Sequence, residues 1–213
     1  KGQDGTAPHT LHMTATPIPR TLSLTAYGDL DTTALRQLPS GRKPVETRVV
    51  DEAGRRAAYE FVREQLRAGR QAFIVCPLVS ESVMVEARAA EQEGARLASC
   101  EFRDFSLAVL HGQQSAEEKQ RTMLAFASGK VDVLVATSVI EVGIDVPNAT
   151  VMVIEGAERF GLSQLHQLRG RVGRGEHASH CLLFADARSD TARARLEAIE
   201  QERDGFKLAE VDL

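Results

Sequence analysis

From Val45 onward the chain alternates short apolar runs with longer stretches whose apolar residues recur at helical spacing. The run Ala72-Phe-Ile-Val-Cys76 is apolar at every position, as a strand buried on both faces must be. Strands of that kind separated by amphipathic helices are the signature of a parallel sheet covered by helices. We expect strands at residues 47–50, 72–76, 107–110, 131–136, 150–154 and 179–184.

The stretches between them have helical start and stop signals. Residues 52–68 place Ala57, Phe61, Val62 and Leu66 on one face, and Gly69 ends the pattern. Residues 83–96 form the next expected helix, whereas 98–105 show no clear period. Ser115 and Glu118 have the spacing of a capping box for a helix running to Phe126, with Gly129 after it. Residues 155–162 read as a loop, and Ser163 is placed to cap the following helix. Residues 190–202 form a charged helix with Ala194, Leu196 and Ile199 as its apolar anchors. Before Val45, the cluster Leu38-Pro-Ser-Gly-Arg-Lys-Pro44 reads as a connector.

Positive charge and glycine concentrate at Gln164-Leu-His-Gln-Leu-Arg-Gly-Arg-Val-Gly-Arg174, a stretch with no acid of its own. Arg171 and Arg174 are three apart, so a helix would project them from one face and Arg169 elsewhere. Guanidinium forks match phosphate oxygens in bidentate fashion, and Gly170 and Gly173 remove side chains that would keep a phosphate from the backbone. A second polar group is Thr137-Ser138 at the end of a strand, a hydroxyl pair suited to a nucleic-acid phosphate or to helix capping.

Composition limits the partners. The net charge of -4 over 213 residues means that any nucleic-acid contact comes from a local basic patch. No apolar run reaches the length of a membrane span, so a soluble, cytoplasmic protein is expected. Cys76, Cys100 and Cys181 are odd in number and widely spaced, as reduced thiols are, and Cys76 and Cys181 fall in core strands. His9 with His12, and His177 with His180, lack a completing ligand set, so no metal site is expected.

Three stretches together carry a family resemblance. Gln167-Leu-Arg-Gly170-Arg171-Val-Gly-Arg174 resembles the sixth motif of superfamily-two helicases, Ala136 to Pro147 the fifth, and Thr14-Ala15-Thr16-Pro17 the third. Pro77-Leu-Val-Ser-Glu-Ser82 resembles the fourth. Within the superfamily, Tyr27-Gly-Asp-Leu-Asp31, Leu38 to Pro44 and the ending Asp204 to Leu213 are most similar to the RecG family of branched-DNA helicases. The resemblance implies a RecA-like three-layer α/β lobe, the second of two motor lobes. It implies residues 1–44 as the end of the first lobe and connector, 45–188 as the second lobe, and 189–213 as a helical extension.

The same resemblance implies roles. Arg171 and Arg174 would reach the phosphates of ATP bound with Mg, with Gln167 aligning the attacking water or the facing lobe. Gly143 and Asp145 would lie on the nucleotide side. Thr137, Ser138, His111 and Gly112 would hold the DNA backbone, and Thr14, Ala15 and Thr16 would couple ATP state to DNA contact. The implied partners are branched or double-stranded DNA and the first motor lobe of the same polypeptide, in a monomer associated with a bacterial nucleoid and not with a membrane.

Phosphoryl transfer also needs an amide cradle with a lysine and a magnesium-holding carboxylate. The sequence has no Gly-x-x-x-x-Gly-Lys-Ser/Thr run and no Asp-Glu-x-His. The superfamily supplies both from the first lobe, so the resemblance implies a fragment without ATPase activity of its own. Two rivals remain: the lobe of a transcription-repair coupling translocase, whose motifs are similar, and a non-catalytic Rossmann-like phosphate-binding module. The latter needs a glycine loop after its first strand, and residues 72–82 contain no glycine.

Overall fold

The computed structural model describes residues 43–77, 83–137, 145–186 and 189–211, with residues 11 and 33 as isolated positions. Apart from residues 11, 33, 43 and 44, the expected first-lobe piece and connector lie outside the described residues, as does the fourth motif beyond Pro77.

Six strands form one fully parallel sheet: β1 (Val45–Val50), β2 (Gln71–Val75), β3 (Leu107–Leu110), β4 (Val133–Ala136), β5 (Ala149–Ile154) and β6 (Ser179–Phe184). Their spatial order is β1-β6-β5-β2-β4-β3, and every pairing is parallel. The helices are α1 (Arg55–Arg67), α2 (Val83–Ser99), α3 (Ala116–Ala127), α4 (Leu162–Arg169), α5 (Asp190–Gln201) and α6 (Gly205–Val211). This is the α/β architecture that the alternating pattern predicts. Among the described residues no helix is long and apolar enough to cross a membrane.

The strict two-residue alternation of a strand splits the core into two layers. Phe73 and Val75 of β2 face α3, α4, α5 and α6, and join Met152 and Ile154 of β5 with Phe126, Leu165, Ile199 and Leu208. Ala72, Ile74 and Cys76 face the other way, toward α1 and α2, with Tyr59, Val62, Leu66 and Leu97. Both layers are needed because β2, β4 and β5 are buried at every residue.

Several local expectations shift. Helix α1 begins at Arg55 instead of residue 52; Ala57 is exposed, and Tyr59 takes the buried position. Helix α2 runs on to Ser99, and Gly94 within it allows close packing, since a Cβ there would lie 2.5 Å from Val109 Cγ2. The Ser115 capping box forms as expected, with Glu118 N donating to Ser115 Oγ at 3.2 Å and Ser115 N donating to Glu118 Oε2 at 2.8 Å. The 155–162 loop contains a 3-10 turn at Ala157–Arg159. In α5 Ala194 is exposed; Leu196 and Ile199 are the buried anchors, with Ala198 partly buried beside them. Through these two, and Leu208 of α6, the segment set apart as an extension packs into the same core as the sheet.

Core burial should dominate stability. Met152→Ala empties space at a fully buried position and should cost about 2–5 kcal/mol. Leu124→Ala, at a position 57% exposed, should stay within about 0.5 kcal/mol. Urea midpoints of the two variants measure the contrast, and equal midpoints would contradict the assigned layers.

Candidate nucleotide and nucleic-acid site

Helix α4 carries the motif residues. Its N-cap is Gly161, not Ser163; Gly161 has no side chain to offer, and its N donates to Gln164 Oε1 at 3.2 Å. The helix stops at Arg169, with Gly170 as C-cap and Gly170 N bonded to His166 O. Arg171 and Arg174 therefore follow the helix, on a turn, and helical spacing is not what brings them to one side. Gln167 lies half-buried in the last turn of α4.

The turn is shaped by two glycines. Gly173 has φ +75°, a conformation that costs a side-chain residue energy, and a Cβ there would meet Val45 Cγ2 at 2.7 Å. Gly175 has no such φ, but a Cβ there would fall 2.5 Å from the carbonyl oxygen of Pro147. The backbone after Arg174 thus lies against the segment entering β5. That approach sets Arg174 Nη1 3.5 Å from Asp145 Oδ1, while Arg174 Nε donates to Gly170 O at 3.2 Å. The acid beside Arg174 is not its sequence neighbour Glu176; the fold supplies Asp145 from 29 residues away.

Arg169 behaves differently. It is 6% exposed, and its Nη1 donates to the carbonyls of Ile199 at 2.8 Å and Glu202 at 3.0 Å, at the C-terminal end of α5. Nη2 lies 2.9 Å from His166 Nδ1. Burial lowers its pKa from the usual arginine range, yet a guanidinium keeps its proton at neutral pH. Helix ends leave carbonyls without partners and carry partial negative charge, so a cation there satisfies both. Nothing in the local spacing of Arg169 distinguished this role.

The expected DNA contacts are divided. Thr137 is 2% exposed at the end of β4, its N bonded to Leu110 O and its Oγ1 without a hydrogen-bond partner. His111 is buried, not presented outward: its Nε2 lies 3.2 Å from Glu91 Oε1 on α2. Gly112 is exposed, and its carbonyl accepts from Lys119 Nζ at 2.8 Å. Ser138, Gly143, Thr14, Ala15 and Thr16 lie outside the described residues.

A cleft of about 810 Å³ opens at the carboxyl ends of β2, β4 and β5, lined by Arg55, Arg56, Tyr59, Arg96, Thr137 and Glu155 among others. Sequence reading missed its central network. Glu155 accepts from Tyr59 Oη at 2.8 Å and from Arg55 Nη1 at 2.9 Å, and Arg55 also stacks 4.5 Å from the Phe184 ring. Its members lie about a hundred residues apart in sequence, so no short-range pattern reveals them. Burial pushes Glu155 above the usual carboxylate range, although Tyr59 and Arg55 pull it down. Burial, with the neighbouring Glu155 charge, likewise raises the Tyr59 phenol. Burial pushes the Cys76 thiol up to about 12.

The comparisons bear on this arrangement. Residues 56–176 match the model of the helicase conserved C-terminal domain. The ATP-dependent DNA helicase RecG of Synechocystis is 51% identical over 209 residues, covering 98% of this chain and 25% of that protein. The chain belongs to the RecG helicase family. RecG of Bacillus subtilis is 46% identical over all of this chain and 31% of its own length. The chain thus spans about a quarter to a third of these RecG relatives. A structure of RecG bound to a three-way DNA junction matches with TM-score 0.79 at 49% identity, over 93% of this chain and 26% of that one. A single-residue variant of yeast Dbp5, bound to RNA and ADP BeF3, shares the fold alone at 17% identity and TM-score 0.57, over 91% and 50% of the two chains. The RecA-like helicase lobe is therefore the fold of this RecG-family chain.

Two outcomes follow from the geometry. Arg169→Ala leaves two carbonyls at the end of α5 unsatisfied, and charged hydrogen bonds of this kind are worth about 1.5–3 kcal/mol. Denaturation should show a loss of about that size, and Arg169→Lys should not restore it, since one ammonium cannot span both directions of the fork. Full rescue by lysine would refute the strut. For Glu155, the folded pKa lies above the unfolded value, so its contribution to stability is full below about pH 4 and declines as pH rises through the folded value. The stability of Glu155→Gln relative to the parent should therefore improve between pH 4 and pH 8. A difference that is flat or falls with pH excludes the assignment.

Proposed function

We propose that this chain is the second motor lobe of an ATP-dependent DNA helicase that remodels branched DNA, such as stalled forks and Holliday junctions. Arg171 and Arg174 act on the ATP phosphates across a cleft between lobes. The observation that carries the reading is the anchored turn after α4: Gly173 and Gly175 hold the backbone, Asp145 stands beside Arg174, and Arg169 ties the helix down from behind. Such preorganisation suits charge that develops on a transferring phosphoryl group. The RecG protein of Synechocystis carries the name ATP-dependent DNA helicase, and the solved RecG structure holds a three-way DNA junction; both support the substrate class.

In this reading residues 1–44 belong to the end of the first lobe and the connector. Asp145, with Gly143, stands on the nucleotide side near the ribose, and Gln167 aligns the attacking water or the facing lobe. A first lobe of the same polypeptide supplies the amide cradle, its lysine and the magnesium carboxylate. Thr137, with Ser138, holds the DNA backbone, joined by the backbone at Gly112, while the buried His111 ring keeps that loop in place against Glu91. Thr14, Ala15 and Thr16 couple the nucleotide state to the DNA grip. Closing on ATP and opening after hydrolysis then moves the grip along the duplex.

In the full-length enzyme, Arg171→Ala or Arg174→Ala should lower ATP turnover by roughly 10³ to 10⁵, the usual effect of an arginine finger, while DNA affinity changes little. Turnover at saturating DNA and fork affinity, measured on the same variant, separate the roles. Near-normal turnover with weak fork binding would make these arginines DNA contacts and overturn the assignment. Taken alone, this chain should release no phosphate from ATP above a buffer blank, with or without DNA.

A further inference from the structure

We infer that the α1–α2 cleft at the carboxyl end of the sheet takes a backbone phosphate of the DNA, with Arg56 as its cation. The inference rests on the helicase reading above and adds a contact on a different element. Three arginines line the cleft, and two are already answered. Arg55 pairs with Glu155 and reaches Glu52 at 3.5 Å, and Arg96 pairs with Glu93 at 2.6 Å. The acid Glu101 is turned to Arg63 at 2.7 Å. Among the described residues no carboxylate pairs with Arg56, which is exposed at the start of α1.

Asp51 and Glu52 precede α1, and Asp51 accepts from Gly54 N at 2.9 Å while Glu52 reaches Arg55, but neither pairs with Arg56. The N-terminus of a helix is the positive end of its dipole and favours acids, yet the first turn of α1 has no acid and two adjacent arginines. An anion bound between this helix end and the sheet relieves both Arg56 and the dipole. The cleft also carries an independent donor: the Thr137 hydroxyl, on a residue 2% exposed, has no hydrogen-bond partner. Buried hydroxyls are normally satisfied, so an unpaired one lining a cleft marks a place for an acceptor. A volume of about 810 Å³ has room for a nucleotide-sized unit, not just a free ion. Thr137 already stands in the proposed DNA grip, so a strand held there extends naturally to Arg56.

The test uses the full-length enzyme and a forked DNA, with affinity followed by fluorescence anisotropy over a series of salt concentrations. Loss of one phosphate contact should reduce the slope of log affinity against log salt by about 0.9 in Arg56→Ala. The DNA concentration for half-maximal ATPase stimulation should rise, and the KM for ATP should not. Arg56→Lys keeps the charge and should keep the slope. Arg67→Ala, at the far end of α1 and paired with Glu60, should behave like the parent. An unchanged slope in Arg56→Ala, or an equal fall in Arg67→Ala, overturns the inference. So does a raised KM for ATP with the slope intact, which would make the ligand a nucleotide phosphate. If the parent enzyme shows no DNA-stimulated turnover, the helicase reading fails and this inference falls with it; a stimulated parent with an unaffected Arg56→Ala sinks this inference alone.

Discussion

A guanidinium buried among backbone carbonyls holds the motif-bearing part of this lobe in place. Arg169 ends α4, and by donating to Ile199 and Glu202 it fastens that helix to the end of α5. Because α6 packs against α4 and places Leu208 in the shared core, the helices beyond β6 support the arginine turn from behind. Removing a buried charge from water is costly unless its donors are used, and here both terminal nitrogens of the fork have partners. Three arginines within six residues therefore do opposite things: Arg169 is structural, whereas Arg171 and Arg174 sit on the turn beyond it.

The opposite layer is organised around a second polar contact. Glu155, where β5 ends, engages Tyr59 and Arg55 of α1, and Arg55 and Tyr59 also pack on Phe184 where β6 ends. Three elements that share no sequence neighbourhood thus converge on one carboxylate. Its raised pKa shows that burial outweighs the favourable charge of Arg55, as expected where desolvation competes with pairing. Such a network contributes geometry more than net stability. It defines a wall of the cleft beside Thr137 and leaves Arg56 as the arginine there without a carboxylate.

The Glu155 network lies at the carboxyl ends of parallel strands, where open α/β sheets gather ligands, whereas the arginine turn packs on the starts of β1 and β6 and on the segment entering β5. The sheet order leaves β2 between β5 and β4. Arginine turn and cleft consequently lie at opposite ends of the strands.

Much was determined by sequence alone. Continuous apolar runs with intervening amphipathic stretches specify a parallel sheet, because only strands buried on both faces need apolar side chains at every position. The Ser115 cap was legible for the same local reason, since capping depends on residues three apart. Gln167, Arg171 and Arg174 stood out because charge, glycine and order form a compact pattern. Tertiary structure alone decided the rest. It ended α4 before Arg171, gave Arg174 an acid from another loop, turned Arg169 inward, buried His111 against Glu91 and exposed Ala57 in favour of Tyr59. Each depends on which distant segment the sheet brings alongside, and pairing across about thirty to a hundred residues leaves no trace in local spacing.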